Sequence, residues 1–565
     1  MGTISDKLMR IINTKEDIRQ ALISKGYDVP TSIPFKEYAK MILDLPCRVD
    51  SFPDIEGIVA RYSALGLTNE QMAENPVWKD LTGNGYDLQM KNFAWGGMSG
   101  VGGYGDENHQ TFYKFTLDDY VFIASPPGVE HMNFTFRVTG LQPGNKLTLA
   151  FFGTTNTVYG IWDKDGIYTV NSAVVEVGKP VYFYNGYGAT RGEFTIEILP
   201  LYPGFILGDG VDDVAVTEKE LNFEDTYTVY TAFIPFQNNP KRNMILCGAD
   251  SKKTFSMQYS SLVYVTFIAG NNFYINADFV NGFNLFACKR NGNNICIKNL
   301  LTNKVVTGTC GDWVENAGLY YLWKNATYAS FARVGIAGQI IYNGHFTTDE
   351  EDENILNWHK KQYPWLFPDQ AWTVTGKTNE DEDRATIANI TGNGNDLILS
   401  NFGFAEGSGY NEQGEYAGYL VTDGVDDKIV SSVFGMGKDF TIVGDWKFID
   451  NKKSGTGLVK ASSFYIYNTM IGLDLYINSG SVTNSLDGIK SINAACSDGR
   501  AYDRNWNEIL ANTGNVVGSG GILEVSSSGG RFDRIAFKNL AIYPRILSKD
   551  DCIKAYNYLQ TLKAK

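Results

Sequence analysis

From about residue 55 onward, apolar and polar positions alternate along the chain. Asn133-Phe-Thr-Phe-Arg-Val138, Lys146-Leu-Thr-Leu-Ala-Phe-Phe152, Tyr227-Thr-Val-Tyr-Thr-Ala-Phe233, Val263-Tyr-Val-Thr-Phe267, Phe440-Thr-Ile-Val443 and Leu473-Asp-Leu-Tyr-Ile477 follow a period of two. That is the period of a strand with one buried face. Turn formers such as Gln142-Pro-Gly-Asn145 separate the runs. The first 46 residues follow another rhythm. Ile4, Leu8, Ile11 and Ile12 recur at helical spacing, and Ile18, Ala21 and Leu22 continue the face after a capping-box-like Thr14-Lys-Glu-Asp17. Pro34 suits the first position of a further helix carrying Phe35, Tyr38, Ala39 and Ile42, and Pro46 closes the segment. The pattern predicts a short helical segment followed by a mainly β chain.

Two landmarks occur twice, in the same order. Leu81-Thr-Gly-Asn-Gly85 and Ile390-Thr-Gly-Asn-Gly394 are tight turns, in which Asn and Gly tolerate positive φ. Asp209-Gly-Val-Asp-Asp213 and Asp423-Gly-Val-Asp-Asp427 follow them. Both copies end alike, with Phe331-Ala-Arg-Val-Gly-Ile336 matching Phe532-Asp-Arg-Ile-Ala-Phe537 and Ile341-Tyr342 matching Ile542-Tyr543. Thr347 and Ser548, each followed by acids, then predict N-caps of a closing helix. The copies differ in one spacing. Phe93 to Asp209 is 116 positions and Phe402 to Asp423 is 21, so the first copy carries about 95 extra residues with strands of their own. A loop insertion of this size leaves the host core intact. The expected organisation is a helical segment at 1–46, a first sandwich at 55–104 plus 204–365, an inserted small β-sandwich at 105–203, and a second sandwich at 366–565.

Composition sharpens this picture. The 565 residues exceed one ordinary core. Among them are 59 Gly, 33 Tyr and 33 Phe, which favours strands and turns. A net charge of −14 without a Lys/Arg cluster argues against a nucleic-acid partner. No stretch approaches eighteen apolar residues, so no membrane-spanning helix is expected, and the N-terminus lacks a signal-peptide core. The seven cysteines are scattered and odd in number, without a CxxC pair, which suggests reduced, mostly buried thiols.

The motifs resemble the laminin-G-like, concanavalin-A-type jelly roll. Trp78-Lys-Asp-Leu-Thr-Gly-Asn-Gly85 matches a segment near that family's start, and Phe205 to Gly210 and Tyr419 to Gly424 match its Asp-Gly strand entry. Ile542-Tyr-Pro-Arg-Ile-Leu-Ser548 matches its last strand. Copy one departs at Gly344, where the family has Arg, and copy two lacks the early Trp. Residues 1–46 are similar to N-terminal anchoring segments of fibre proteins of bacteriophages, particularly crAss-like phages, through Lys7-Leu8, Thr14-Lys15, Ile18, Lys25-Gly26, Pro34-Phe35 and Tyr38-Ala39. The resemblance implies a virion protein assembled in the host cytoplasm. It implies a head fibre anchored through Leu8, Ile11, Ile18, Leu22, Phe35, Tyr38 and Ile42 to capsid or other virion proteins, and to copies of itself as a dimer or trimer. Host glycans are the expected outward partner. A tail fibre and a bacterial surface carbohydrate-binding adhesin are the alternatives.

Candidate chemistry is sparse. Asp209, Asp213, Asp423 and Asp427 offer oxygens to Ca²⁺, but an Asp-Gly turn with local backbone hydrogen bonds accounts for them better, and the spacing is not an EF-hand loop. No metal and no cofactor are expected. Asp349-Glu-Glu-Asp-Glu353 suits a helix start better than a glycosidase pair. The four histidines have no metal spacing, and no GxSxG elbow is present. A polysaccharide depolymerase would need convergent carboxylates that no alternating run supplies, so no enzymatic activity is expected. Trp95, Tyr104 and Tyr187, in Gly-rich loops, are the candidates for stacking on sugars, with Phe93 and Tyr184 beside them.

Overall fold

The computed structural model describes residues 52–564, apart from 104–111, 116–119, 124–130, 142–143, 152–156, 175–180, 186–193, 237–242, 248–255, 261–263, 269–273, 279–281, 313–316, 325–330, 450–455, 462–463, 469–471, 478–485, 488–491, 511–518, 526, 529–530 and 533. The chain divides into Met1–Asp54 and Ile55–Lys565. The expected helical segment, with Leu8, Ile11, Ile18, Leu22, Phe35, Tyr38 and Ile42, lies outside the described residues. So do Tyr104 and Tyr187, and Tyr184 is described only as part of a strand.

The fold from Ile55 onward is mainly β, with every strand pair antiparallel. One sheet of the first sandwich runs Lys304–Thr309, Asn294–Asn299, Asn284–Asn291, Thr226–Pro235, Val334–Asn343, Ile206–Leu207, Gly100–Val101, with Ile58–Ser63 also on Val334–Asn343. The corresponding sheet of the second runs Glu508–Leu510, Arg500–Asp503, Ile492–Cys496, Thr441–Phe448, Ile535–Tyr543, Tyr419–Val421, Gly409–Asn411, with Gln370–Thr373 on Ile535–Tyr543. The opposing eight-stranded sheets also share one order, from Val77–Trp78 to Tyr274–Asp278 in the first copy and from Thr386–Ile387 to Leu486–Asp487 in the second. The duplication therefore extends to strand order, and each copy closes on its own apolar core. Trp78, Leu88, Tyr227, Val229 and Ile336 meet in the first, and Trp372, Leu397, Ile442, Trp446 and Phe537 in the second. Such burial supplies the main driving force of the fold.

The landmark turns are pinned from within. Asp80 Oδ1 accepts hydrogen bonds from the backbone N–H of Arg61 and of Thr82, and Asn389 Oδ1 accepts from Ala371 and Thr391. Asp87 and Asp396 accept the N–H of Asp80 and Asn389 respectively, at 2.9 and 2.8 Å. The Thr-Gly-Asn-Gly runs thus set backbone geometry.

The insertion leaves the first sandwich after Gly100–Val101 and returns at Ile206–Leu207. In the second copy the equivalent Gly409–Asn411 and Tyr419–Val421 are direct neighbours joined by a short loop. The inserted part forms two four-stranded sheets around Phe136, Leu147, Leu149, Phe183, Phe194 and Ile196.

A helix follows the last strand of each sandwich. Asp349–Gln362 is capped by Thr348 rather than Thr347, with Glu351 completing a capping box. Thr347 is buried, and its hydroxyl instead lies 2.8 Å from Tyr230 Oη. The acid run begins this helix. Asp352 turns inward to buried Lys289 at 2.7 Å and to Lys298 at 3.0 Å, with Tyr230 Oη donating at 2.6 Å. Ser548 caps the C-terminal helix Lys549–Thr561, whose residues Ile553, Ala555, Tyr556, Asn557, Tyr558 and Leu559 are all buried. It docks against the rest of the molecule. Tyr558 Oη accepts the N–H of Phe283, Asn557 Oδ1 accepts from Thr135 of the inserted part, and Asn557 Nδ2 donates to the carbonyl of Pro200.

Candidate functional site

The acidic pentads and the candidate aromatic Trp95 converge at one corner of each sandwich. In the first copy Asp213 is fully buried. Its Oδ1 accepts from Ser99 Oγ at 3.0 Å, and its Oδ2 accepts the N–H of Asp209 at 2.8 Å. Asp209 Oδ1 accepts the N–H of Val211, and Gly210 takes a φ of 80° that favours glycine. Ser99 Oγ also accepts the N–H of Ala94, and Asn92 Nδ2 donates to the carbonyl of Asp212. The second copy repeats every contact. Ser408 Oγ donates to Asp427 Oδ1 at 3.1 Å, Asp423 N–H to Asp427 Oδ2 at 2.7 Å, Gly403 N–H to Ser408, and Asn401 Nδ2 to the carbonyl of Asp426.

The corner therefore ties three loops together through one carboxylate. Burial pushes the Asp213 carboxyl up to about 7, against the lowering effect of the Asp209 N–H and Ser99 hydroxyl. It pushes Asp427 up to about 6 in the same way. Asp209, Asp212 and Asp213 bring one oxygen each within 4.8 Å of one another, as do Asp423, Asp426 and Asp427, which is close enough to hold a cation. Yet both oxygens of each inner Asp already accept hydrogen bonds, one from the turn's own backbone and one from the Ser99 or Ser408 hydroxyl. The geometry fits the Asp-Gly turn better than a cation cage, whose carboxylates would face outward.

The loop that this serine ties to the carboxylate carries an aromatic residue in left-handed backbone geometry. Trp95 has φ 55°, and its counterpart Phe404 has φ 48°. Such geometry is uncommon for bulky residues and marks an over-determined position. Trp95 is half-buried and stacks on Phe93 with centroids 5.0 Å apart. Phe404, also half-buried, lies 5.9 Å from Phe402, with the Arg384 guanidinium 5.1 Å from its centroid. Each loop is anchored by an asparagine. Asn69 exchanges hydrogen bonds with the backbone of Val101, and Asn379 does so with Tyr410. A Cβ on Gly100 or Gly409 would lie 2.6 or 2.5 Å from that asparagine's Oδ1, so only glycine fits.

The sequence reading singled out Trp95 but missed Phe404, Ser99 and Ser408. The signal was present, because Phe93 precedes Ser99-Gly100 by the interval at which Phe402 precedes Ser408-Gly409. Next to the second corner opens a groove of about 580 Å³ lined by Phe404, Tyr410, Asn379, Asn411, Glu406 and Gln413. Aromatic carbon flanked by amides and carboxylates suits a ligand with apolar C–H faces and hydroxyls. In the first copy the insertion replaces the loop that forms one wall of this groove. A smaller hollow of about 240 Å³, between Phe283, Leu366, Lys360, Arg545 and Leu562, lies in the seam where the sandwiches pack. Of the histidines, His345 Nε2 lies 2.9 Å from Glu351, and His359 is buried, which holds its imidazole down at about 4.

No family model matches the chain, and no curated protein matches it. Solved structures do. The binding domain of botulinum neurotoxin serotype C1 aligns over 90% of this chain and 97% of its own, at 9% identity and a TM-score of 0.29. The binding domain of botulinum neurotoxin DC, in complex with SialylT, aligns over 86% and 99%, at 10% identity and a TM-score of 0.30. The exoplasmic/lumenal domain of VIP36, bound to Ca²⁺ and Man3GlcNAc, aligns over 26% and 84%, at 9% identity and a TM-score of 0.20. At these scores the likeness assigns neither function nor site, and the fold rests on the strand pairings above.

Proposed function

We propose that this chain is a non-enzymatic adhesion protein that binds glycans through the corners of its two sandwiches. The observation that supports the reading is the corner built twice, with Trp95 and Phe404 each half-buried at positive φ in a loop that a serine ties to a buried Asp. Two weak sites on one chain gain by effective concentration, which oligomerisation would multiply. The resemblance of residues 1–46 to phage anchoring segments supports a finer proposal. The chain is a virion head fibre, held by that segment to capsid proteins and displaying the sandwiches outward.

Glycan-array binding of the full chain, compared with Trp95→Ala and Phe404→Ala, tests the first part. Each substitution is expected to weaken binding several-fold and the pair to abolish it. Unchanged binding in the double variant would sink the corner reading. Deletion of residues 1–46 is expected to abolish incorporation into particles, and a truncated protein that still decorates virions rules out the anchor. Incubation with capsular polysaccharide is expected to release no reducing ends.

A further inference from the structure

Aligning the two sandwiches by strand register shows a place where the second copy carries charge and the first does not. Thr441–Phe448 pairs with Ile535–Tyr543 through Asp445↔Asn539, Trp446↔Phe537 and Lys447↔Ala536, with a bulge after Asp445. Thr226–Pro235 pairs with Val334–Asn343 through Ala232↔Gly338, Phe233↔Ile336 and Ile234↔Gly335, with a bulge after Ala232. Asp445 therefore stands where the first copy has Ala232, Lys447 where it has Ile234, and Lys538 where it has Ala337. The pairings Leu420↔Phe537 and Ile206↔Ile336 likewise set Tyr419 against Phe205. All four positions are apolar and buried in the first copy. In the second they are one acid, two lysines and a tyrosine.

These groups form one cluster. Tyr419 Oη donates to Asp445 Oδ2 at 2.9 Å, and Gln560 Nε2 of the C-terminal helix reaches the same oxygen at 3.5 Å. Lys447 Nζ lies 4.6 Å and Lys538 Nζ 5.7 Å from the Tyr419 ring centroid. Among the described residues neither ammonium has a hydrogen-bond acceptor or an ion-pair partner, although Lys538 is only 5% exposed. Gln560 Oε1 is buried and unpartnered as well. Lys447 is half-buried and Arg504, which adds positive potential, is exposed, so the cluster reaches solvent on that side. Glu415, also exposed, acts on Lys447 from the outside.

A buried ammonium without an acceptor is unfavourable, and a ring face offsets little of that. The apolar version in the first copy shows that this scaffold closes without these charges. We propose that Lys447, Lys538 and Tyr419, with Arg504 at the rim, form a binding site for a small oxyanion, a carboxylate or a phosphate. The anion supplies the acceptors that both lysines lack, while Asp445 holds the tyrosine hydroxyl. Burial draws the Lys447 amine down to about 8 and lowers Lys538, and a bound anion would raise both again. This inference does not depend on the glycan reading, since Tyr419, Lys447, Lys538 and Arg504 are not among the residues lining the groove beside Phe404.

The test is calorimetric titration of the full chain with inorganic phosphate and, separately, with a hexuronate, at matched ionic strength. Wild type is expected to bind one of them saturably, and the arm that responds identifies the anion. Lys447→Gln, at the half-buried rim where folding is least at risk, is expected to weaken binding at least ten-fold. Lys538→Met is expected to abolish it, while Lys79→Met, on an exposed pair elsewhere, leaves it unchanged. Absence of saturable binding in both arms, or undiminished affinity in Lys447→Gln, would overturn the proposal.

Discussion

Ser99 and Asp213 show how one residue contact governs a loop corner. Ser99 Oγ accepts from Ala94 N–H while donating to Asp213. Ser99→Ala leaves the Ala94 N–H and a buried carboxylate each short of a partner, and is expected to cost about 1–3 kcal/mol in urea unfolding. The carboxyl itself sets a pH dependence. Its folded pKa, about 7, lies above the ordinary Asp value of 3.8. Between those values the folded state holds a proton that the unfolded state has released. This contribution to stability is therefore complete below about pH 4 and is lost as pH rises toward 7. Relative to Asp213→Asn, wild type is expected to lose stability between about pH 4 and 7, read as a falling urea midpoint. A flat difference would show that the carboxyl is ionised throughout. Neither residue's role was legible in the sequence as chemistry. The Asp-Gly pentad reads locally as a turn, but its partner Ser99 lies 114 positions away, and no local pattern announces a contact of that range.

At the scale of elements, the helix Asp349–Gln362 is held by a buried charge network. Asp352→Ala would strand Lys289 without its carboxylate in the interior, and is expected to cost about 3–5 kcal/mol. Joint replacement of Lys289 by Met and Asp352 by Leu is expected to restore most of that loss. A double variant as unstable as the single one would mean that the pair contributes more than charge compensation. The helix was legible because acids after a Thr suit a helix N-terminus. Its cap was misplaced by one residue. Thr347 and Thr348 are locally equivalent, and only packing against Tyr230 decides which turns inward. The strands were legible because alternation matches a half-buried sheet. The central strands Thr226–Pro235 and Ile535–Tyr543 are buried on both faces, although Thr228, Thr231, Lys538 and Asn539 interrupt their apolar runs, so burial there was not legible from pattern alone.

Across the whole molecule, the C-terminal helix joins parts that are remote in sequence. Trp506 Nε1 donates to Thr169, and Asn557 and Tyr558 bridge to the inserted part and the first sandwich. Removal of residues 549–565 would expose the apolar surface that this helix covers. The full chain is expected to unfold in one calorimetric transition, and the truncated chain in separate ones, with protease cleavage near Pro200. A single transition after truncation would show that the helix does not couple the parts. What the sequence determined by itself is local and periodic, namely the strands, the turns and the helix start. These follow from backbone sterics and one-sided burial, which act over a few residues. Comparing the two copies added the duplication and the place of the insertion. The tertiary structure alone decided which loop meets Asp213, how the C-terminal helix is swallowed, and that Lys447 and Lys538 share one tyrosine without an acceptor. Those contacts join residues up to hundreds of positions apart, and burial and charge act on the distance between groups in space, which local pattern does not encode.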